Sequence, residues 1–408
     1  MGIDVDLFKA ATPVTPVAPQ ASALRPGHLP PHSYLNILTT LRSVDRIADA
    51  WRALEDKSLV RPTVFQSHDW VSNWCHVYAG PESETEIRIV TGWRNNELVF
   101  VWPMQLRRRL GLSWLEWLSH PVGQYGDVLC ALGQDLDTWL QAGFNLLRRD
   151  GHYDLAHLRH IRQNSTISLS KLSFFKTSGF CDLAPHLDMS GFATVESYDA
   201  RLDRKQRKHR KTVRNHLAAK GTVEFQHLTC ETGAGQAIAT ALAEKRKWLN
   251  KKGFISTVLF DPRLNELLRR FAESQGNRVK SDVSQLSVAG QPVAWELALR
   301  YRDTHYCYII ARATEMDDAK PGRLMFDLNQ RRAYLDGYRT YDLLTPNDPH
   351  KQSWSNALEP ISDLYVPLST RGTWAAEIYI RRLRPVLRNV YMLAPVFVRN
   401  AIKRIAKF

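Results

Sequence analysis

The chain has 408 residues, with 55 Lys and Arg against 41 Asp and Glu, which gives a formal net charge of +14. A hydrophobic content of 44% with 10% aromatic residues excludes an intrinsically disordered chain, which lacks that much apolar material. No apolar run approaches the roughly 18–20 residues that cross a bilayer, and residues 1–20 show no apolar stretch of the signal-peptide type. These features predict a cytoplasmic protein of two domains.

The cysteines favour free thiols in a reducing compartment, because they are odd in number, widely spaced and form no C-x-x-C pair. They are Cys75, Cys130, Cys181, Cys230 and Cys307. Neither a disulfide framework nor a zinc site is supported, so no metal is expected.

In chain order, residues 1–33 are rich in Pro and Ala and are expected to form a disordered leader. A first lobe is predicted over 34–185. It opens with helices N-capped by Ser43 and Ser67, and a hairpin is expected to turn at Asn95-Asn96. Eight of the 12 Trp residues lie in this lobe, and core packing is favoured over an aromatic ligand cage for them.

A second lobe is predicted over 190–370. It begins with a basic helix over 197–219, and a helix over 236–252 is expected to stop at Gly253. Three strands separated by short turns then form an antiparallel meander between 282 and 313. A helix from about residue 323 to 336 and a short strand at 341–344 follow. Strands, helix, strand in this order indicate an α+β layer with a parallel pairing after the crossover.

The segment Lys320-Pro-Gly-Arg-Leu324 joins a strand to a helix start. Such a turn exposes backbone N–H groups at the positive end of a helix, which suits a pyrophosphate, although an ordinary strand-to-helix turn is the alternative. The segment is neither G-x-x-x-x-G-K-[ST] nor G-x-G-x-x-G, so kinases, P-loop ATPases and NAD enzymes gain no motif support.

Several motifs in order resemble the acetyltransferase domain of GNAT-superfamily proteins of the CelD type, which are associated with cellulose and exopolysaccharide biosynthesis. They are Gly290-Gln-Pro-Val-Ala294, Tyr306-Cys-Tyr308, Lys320-Pro-Gly-Arg-Leu-Met325, Tyr341-Asp-Leu-Leu344 and His350-Lys-Gln-Ser-Trp354. In the first lobe, Phe65-Gln-Ser-His-Asp-Trp70 and Trp102-Pro-Met-Gln-Leu-Arg-Arg-Arg109 are similar to the family's N-terminal part.

The resemblance implies an α+β fold of two tandem GNAT-like lobes, each a mixed, mostly antiparallel sheet flanked by helices, distantly similar to FemABX-type transferases. It implies acetyl-CoA or another acyl-CoA as donor and an amine, or alternatively a hydroxyl, of a sugar or envelope polysaccharide precursor as acceptor. CoA would lie between splayed strands at 304–313 and 341–344. The expected cofactor-binding residues are Tyr308, Ile310, Lys320, Pro321, Gly322, Arg323 and Leu324.

Four residues are candidates for catalysis. Glu296 sits mid-strand among apolar residues, where an unpaired carboxylate is costly unless used or hydrogen-bonded; a solvent-facing strand position is the alternative. Asp342 and Lys351 match the family pattern. His350 stands where the family has Tyr, and can serve as acid or base near neutral pH or simply pack. Pro346 stands where the family has Gly, which changes the expected shape of that loop.

Two basic blocks carry the charge excess. Residues 204–214 hold seven cations without aromatic residues that would stack on bases, which argues against nucleic acid and favours a rim for CoA phosphates. A tail over 371–408 is expected to form short helices broken by Pro385 and Pro395. Apolar Val398, Ile402, Ile405 and Phe408 would share one side of it. This pattern predicts contact with an anionic membrane at its inner face; a terminal helix docked on the protein is the alternative.

Two other functions compete with acyl transfer from CoA. One is a FemABX-like aminoacyltransferase that uses charged tRNA, which the basic helix fits. The other is a non-catalytic protein that docks on membrane or polysaccharide machinery through its tail.

Overall fold

The computed structural model describes residues 29–80, 83, 85–109, 111–151, 153–274, 276–395 and 398–399. Most of the expected leader, 1–33, and the tail residues Ile402, Ile405 and Phe408 therefore lie outside the described residues. Within the described ranges, no helix is long and apolar enough to cross a membrane.

The described residues form thirteen strands. They are β1 (Ser33–Leu38), β2 (Thr85–Arg94), β3 (Glu97–Arg109), β4 (Leu112–Trp117), β5 (Leu129–Cys130), β6 (Leu155–Arg162), β7 (Lys176–Asp188), β8 (Val223–Leu228), β9 (Lys280–Val288), β10 (Gln291–Tyr301), β11 (Thr304–Arg312), β12 (Thr340–Asp342) and β13 (Ala357–Pro367).

The α-helices are α1 (Leu41–Arg46), α2 (Ala48–Lys57), α3 (His68–Tyr78), α4 (Leu136–Asp150), α5 (Val195–Ala200), α6 (Arg204–Ala218), α7 (Ala234–Lys252), α8 (Thr257–Phe260), α9 (Arg263–Glu273), α10 (Pro321–Leu335), α11 (Pro349–Gln352), α12 (Thr370–Trp374) and α13 (Arg384–Leu393). Short 3₁₀ turns lie at Val64–Gln66, Ile167–Leu169 and Thr314–Ala319, and a π-helix spans Ala375–Leu383.

All strands belong to one sheet in the order β1-β2-β3-β4-β6-β13-β7-β12-β11-β10-β9-β8, with β5 paired to β3. Its two halves have the same plan: four antiparallel strands, then one strand parallel to the fourth, then a strand from the other half. The parallel pairs are β4–β6 and β11–β12. The α+β class with a mixed, mostly antiparallel sheet is confirmed, as are the meander β9–β10–β11 and the parallel pairing after the crossover.

The halves exchange their last strands. β7 ends the N-terminal half of the sequence but pairs with β12, and β13 ends the C-terminal half but pairs with β6. The two exchanged strands also pair with each other at the centre of the sheet. The predicted boundary between lobes, near 185–190, therefore falls where β7 has already crossed into the second half.

Two helical predictions are corrected. The basic helix expected over 197–219 is two helices, α5 and α6, because Asp203 starts the second one: its side chain accepts from the N–H of Gln206 and forms a capping box. The expected break at Pro385 is absent. Residues 370–393 are helical throughout, and the π-helical stretch before Pro385 supplies the wider turn that a proline ring and its missing N–H require.

Candidate functional site

A fork opens in the C-terminal half where β11 and β12 part. Their parallel pairing runs over Thr304↔Thr340, His305↔Tyr341 and Tyr306↔Asp342. β12 then ends, while β11 continues to Arg312 and keeps only its other neighbour, β10. The far half of β11 therefore presents one edge of backbone groups to the opening, because among the described strands none pairs with that edge beyond Tyr306. We call this opening the groove.

β11 carries a bulge within the groove. Ile309 pairs with Leu297 and Cys307 with Ala298, which leaves Tyr308 as the extra residue. A bulge breaks the ladder and redirects the backbone groups beside it. The Tyr308 side chain turns to the N-terminal half, where its hydroxyl donates to the carbonyl of Val122 at 2.8 Å. A ligand in the groove would thus meet the Tyr308 backbone rather than its ring.

The first turn of α10 faces the free end of β11. A Cβ placed on Gly322 would lie 3.8 Å from Cγ2 of Ile310 and 4.0 Å from Cδ of Arg312, which is ordinary van der Waals contact, so a methyl group would fit at this turn. Lys320 precedes the helix with φ of 55° and provides no side-chain cap. The helix starts at Pro321, two residues before the predicted start. Its N–H groups are thus left without a capping side chain, which suits an anion.

The basic helix α6 lies along α10. Arg210 forms an ion pair with Asp327 and stacks over Trp354 at 4.3 Å from the ring centroid. His209 contacts the guanidinium of Arg323. The remaining cations of α6 are exposed beside the start of α10; they are Arg204, Lys205, Arg207, Lys208, Lys211 and Arg214. The predicted phosphate turn and the predicted basic rim therefore lie together.

Two half-buried lysines line the groove. Lys245 of α7 donates to the carbonyl of Ile310 at 3.0 Å, and Lys351 of α11 donates to the carbonyl of Leu344 at 3.0 Å. Burial, reinforced by the charges of Arg312 and Lys351, lowers the pKa of Lys245 to about 8. Burial likewise lowers the pKa of Lys351. These groups make the groove cationic, and their protons are easier to remove than those of exposed lysines.

Glu296 is fully buried beneath the groove, which excludes the solvent-facing alternative. The Tyr341 hydroxyl donates to its Oε2 at 2.5 Å and Asn329 Nδ2 donates to the same oxygen at 3.0 Å, while His305 Nε2 lies 2.7 Å from Oε1. Burial and then the nearby Cys307 and Glu296 raise the pKa of Tyr341 well above its usual value. Glu296 thus has hydrogen-bond partners at both oxygens and reaches a substrate only through them.

Asp342 closes the fork at the interface of the halves. The Tyr125 hydroxyl donates to its Oδ1 at 2.9 Å, and the N–H of Leu344 donates to the same oxygen at 2.8 Å. No hydrogen bond to Oδ2 is found in the described part of the chain. Burial disfavours the charged form of Arg162, but the neighbouring Asp342 and Tyr125 favour that form more strongly. The pKa of the Arg162 guanidinium is therefore raised.

His350 lies on the outer rim of the groove. Its ring meets Phe326 edge-on at 5.4 Å between centroids, and Trp354 at 6.4 Å. Burial and then the charge of Arg323 lower its pKa, which favours the neutral imidazole. The structure thus gathers Asp342, Lys351 and His350 along one side of the groove.

Residues missed by the sequence reasoning include Lys245, Tyr125 and Arg162. A signal existed for Lys245: it interrupts the buried stripe of α7 formed by Ile238, Ala241, Leu242 and Leu249. No local signal marks Tyr125, because it meets Asp342 from 217 residues away.

Comparisons with known proteins agree with this arrangement. Residues 204–352 match the family described as Acetyltransferase (GNAT) domain, which spans the groove from α6 to α11. No curated protein sequence matches the chain. A structure of FemX is similar with a TM-score of 0.57 at 11% identity, covering 81% of this chain and 98% of FemX.

A protein of unknown function from Bacteroides thetaiotaomicron VPI-5482 has a TM-score of 0.53 at 14% identity, covering 82% of this chain and 100% of that one. A tandem GNAT protein from the clavulanic acid biosynthesis pathway is less similar, with a TM-score of 0.44 at 9% identity over 83% of this chain and 99% of that one. The fold is therefore similar to that of FemX over 81% of the chain, and residues 204–352 form a segment similar to a GNAT acetyltransferase domain.

Proposed function

We propose that the protein transfers an acyl group, acetyl in the simplest case, from acyl-CoA to an amine of a sugar or envelope polysaccharide precursor. The observation that carries this proposal is the fork between β11 and β12, with the uncapped start of α10 at its open end. The match of residues 204–352 to a GNAT acetyltransferase domain supports it. That the acceptor is a polysaccharide precursor, and that the chain is similar to CelD-type proteins in particular, are both part of what we propose.

Different residues of the groove would bind different parts of the acyl-CoA donor. The N–H groups at the start of α10, with Lys320 and Arg323, would hold the pyrophosphate. The edge of β11 beyond Tyr306 would pair with the amide-bearing arm of the donor through backbone groups other than the Ile310 carbonyl, which Lys245 already holds. The exposed cations of α6 would attract the remaining phosphate charge.

The chemistry needs a base for the amine and a donor for the oxyanion. A bound thioester supplies an acyl carbon open to attack by an amine. The amine nitrogen bonds to this carbon, the carbon–sulfur bond breaks, CoA leaves as its thiolate, and the proton lost by the amine passes to the base. Asp342 is assigned as the base, since both of its described hydrogen bonds use Oδ1. The backbone N–H groups beside the Tyr308 bulge and the ammonium of Lys351 would stabilise negative charge on the acyl oxygen. His350 would orient the acceptor at the rim, and Glu296 would act as a positioning residue through Tyr341.

Acetyl-CoA binding tests the assigned turn. Gly322→Trp places a large ring at the first turn of α10, next to Ile310 and Arg312. Lys320→Glu reverses a charge beside this turn. By calorimetry we expect each variant to bind acetyl-CoA at least tenfold more weakly than the unaltered protein. Lys171→Glu makes the same charge change on an exposed lysine of the N-terminal half and is the matched control. Equal affinity of all four proteins would reject the assigned turn.

An aminoacyl-tRNA donor is the second candidate, favoured by the exposed cations of α6 and by the FemX-like fold. The two candidates differ in their need for RNA. Transfer that persists after RNase treatment, with acyl-CoA as sole donor, would exclude charged tRNA. Transfer that stops after RNase treatment would exclude acyl-CoA as the donor.

The proposed setting is an anionic membrane surface at the cytoplasmic face. The outer face of the segment 370–393 exposes large apolar side chains; they are Trp374, Ile378, Tyr379, Leu383, Val386, Leu387, Val390 and Leu393. Arg381, Arg382 and Arg388 are exposed on the same segment. Charge complementarity therefore favours an anionic bilayer as the occupant of this face.

Vesicle co-sedimentation tests this setting. We expect the protein to pellet with vesicles containing phosphatidylglycerol but not with vesicles of phosphatidylcholine alone, and Val390→Glu to stay in solution. A point variant is sharper than truncation at Trp374, because truncation also removes the buried Ala376 and Ile380. If Val390→Glu pellets as well as the unaltered protein, this face is not the contact.

A further inference from the structure

A cavity of about 520 Å³ lies in the N-terminal half of the sheet, away from the groove. Its floor is formed by the ends of β3, β4 and β6, and its roof by α12, the π-helix and the start of α13. The roof is anchored by Ala376 and Ile380, which are buried against Trp114, Leu155 and Tyr365. The cavity shares no residue with the groove, so its function is a separate question.

One side of the cavity is apolar and largely aromatic. Its lining includes Leu112, Trp114, Trp374, Ile378 and Tyr379. Trp114 and Tyr379 meet edge to face across the floor and roof, with ring centroids 6.2 Å apart. Trp374 and Ile378 keep 65% and 51% of their surface exposed, so the roof is open at this edge. An apolar body can therefore enter between floor and roof.

The other side carries more cations than anions. Arg109 donates to Glu116 Oε1 at 3.2 Å. Arg159 Nε lies 3.5 Å and Arg384 Nη1 lies 3.1 Å from Oδ2 of the buried Asp363, so two guanidinium groups share one carboxylate. With Arg371, which contacts a backbone carbonyl, the lining has four guanidinium groups against one carboxylate, Glu116, and Asp363 adds a second carboxylate outside the lining. The surplus favours an anion in the cavity.

Buried polar atoms on this side have no hydrogen-bond partner among the described residues. Glu116 is 2% exposed and His157 is 4% exposed, yet Glu116 Oε2 and His157 Nε2 both lack a hydrogen-bond partner among the described residues, although His157 Nε2 lies 3.8 Å from Asp363 Oδ2. Leaving such groups unpaired costs stability, so a bound molecule with polar atoms would relieve them. Burial, with the charge of Arg384, also lowers the pKa of Arg159 to about 10, which an added anion would reverse.

We propose that this cavity binds an amphiphile with an apolar or aromatic body and one acidic head group, either a carboxylate or a phosphate. The head group lies between Arg159 and Arg384. The body lies against Trp114, Ile378 and Tyr379. Glu116 accepts a hydrogen bond from a hydroxyl or ammonium next to the head group.

Calorimetry with three ten-carbon probes below their micelle concentrations tests the site: decanoate, decyl phosphate and the neutral decanol. We expect one equivalent of at least one anion to bind, with decanol at least tenfold weaker. The tighter anion identifies the head group. Ile378→Glu puts a carboxylate at the open edge of the cavity and should weaken binding at least tenfold. Leu393→Glu, on the same apolar face but outside the cavity and 85% exposed, should bind as the unaltered protein does.

Three results would overturn the proposal: no saturable binding of either anion, equal binding of decanol, or the same affinity in Ile378→Glu and Leu393→Glu. The last result means adsorption on the helix surface. Both positions are exposed, so the variants are expected to fold. Thermal unfolding checks this, and Trp374→Ala provides a second variant that removes apolar surface from the edge of the cavity without adding charge.

Discussion

The hydroxyl of Tyr341 gives a direct measure of how strongly the floor of the groove is held. In Tyr341→Phe, Glu296 Oε2 loses its 2.5 Å donor while remaining fully buried. Asn329 Nδ2 still donates to that oxygen at 3.0 Å, so the variant loses one of two hydrogen bonds there. A single hydrogen bond contributes about 0.5–1.5 kcal/mol, so the free energy of unfolding should fall by that amount in urea titrations. Tyr34→Phe removes a hydroxyl from a residue that is 43% exposed and is the control. Equal midpoints for the two variants would contradict the described network.

The half-buried Lys245 should make stability depend on pH. Its pKa in the folded protein is about 8, below the ordinary value of 10.5, so between these values the unfolded chain binds more protons and stability rises with pH. Lys245→Met removes this charge. We expect the variant's stability relative to the unaltered protein to be greatest at pH 7 and to shrink between pH 8 and 10.5.

Lys247 provides the control on the same helix. Its hydrogen bond to Glu244 raises the pKa of Lys247, so its stabilising contribution is present at low pH and lost above the ordinary value. Lys247→Met should therefore show no gain at pH 7 in urea unfolding. A pH-independent difference for Lys245→Met would mean that this lysine titrates as it does in water.

At the level of elements, Gly372 fixes how the C-terminal helices dock. A Cβ at this position would lie 1.6 Å from the backbone oxygen of Asp154, an atom that cannot move aside easily. Gly372→Ala should lower the free energy of unfolding by about 3 kcal/mol, the upper part of the usual range for overpacking. Gly191→Ala, which meets nothing within 4 Å, should change it little. Equal thermal midpoints for the two variants would contradict this docking.

Local sequence patterns predicted which helices and strands exist better than they predicted the residues at which these elements begin and end. The cap at Ser67 is confirmed, because its side chain accepts from the N–H of Trp70. The cap expected at Ser43 is wrong: Thr40 caps the helix, and Ser43 is the N3 residue of its capping box. Both residues fit an N-cap by type, and only the backbone geometry distinguishes them. The prediction of a helix break at Pro385 was wrong for a similar reason, because the sequence does not reveal the π-helix that precedes this proline.

For the whole molecule, the exchange of β7 and β13 predicts that the halves do not fold separately. A fragment of residues 190–395 lacks β7, so β12 loses one neighbour and β13 loses both. We expect this fragment alone to show no cooperative unfolding, and co-expression with residues 29–188 to restore a stable complex by gel filtration. Cooperative unfolding of the single fragment would instead support independent lobes.

This exchange marks the limit of the sequence reasoning. The order of strands and helices, the parallel pair and the turn at α10 follow from periodicity, turn residues and motifs near one another in the chain. The pairing of β7 with β12, the contact of Tyr125 with Asp342 and the cavity roof depend on residues hundreds of positions apart. Periodicity carries no information about such contacts, so neither the joint sheet nor the second cavity was predicted.

The most direct test of the central claim is release of free CoA thiol by RNase-treated protein given acetyl-CoA and a panel of amino sugars. We expect thiol release that depends on an acceptor, together with the gain of one acetyl group by that acceptor in mass spectrometry. Both signals should be lost in Gly322→Trp but not in Lys171→Glu. Acetyl transfer that proceeds equally in Gly322→Trp, or an absence of transfer to every amine, would contradict it.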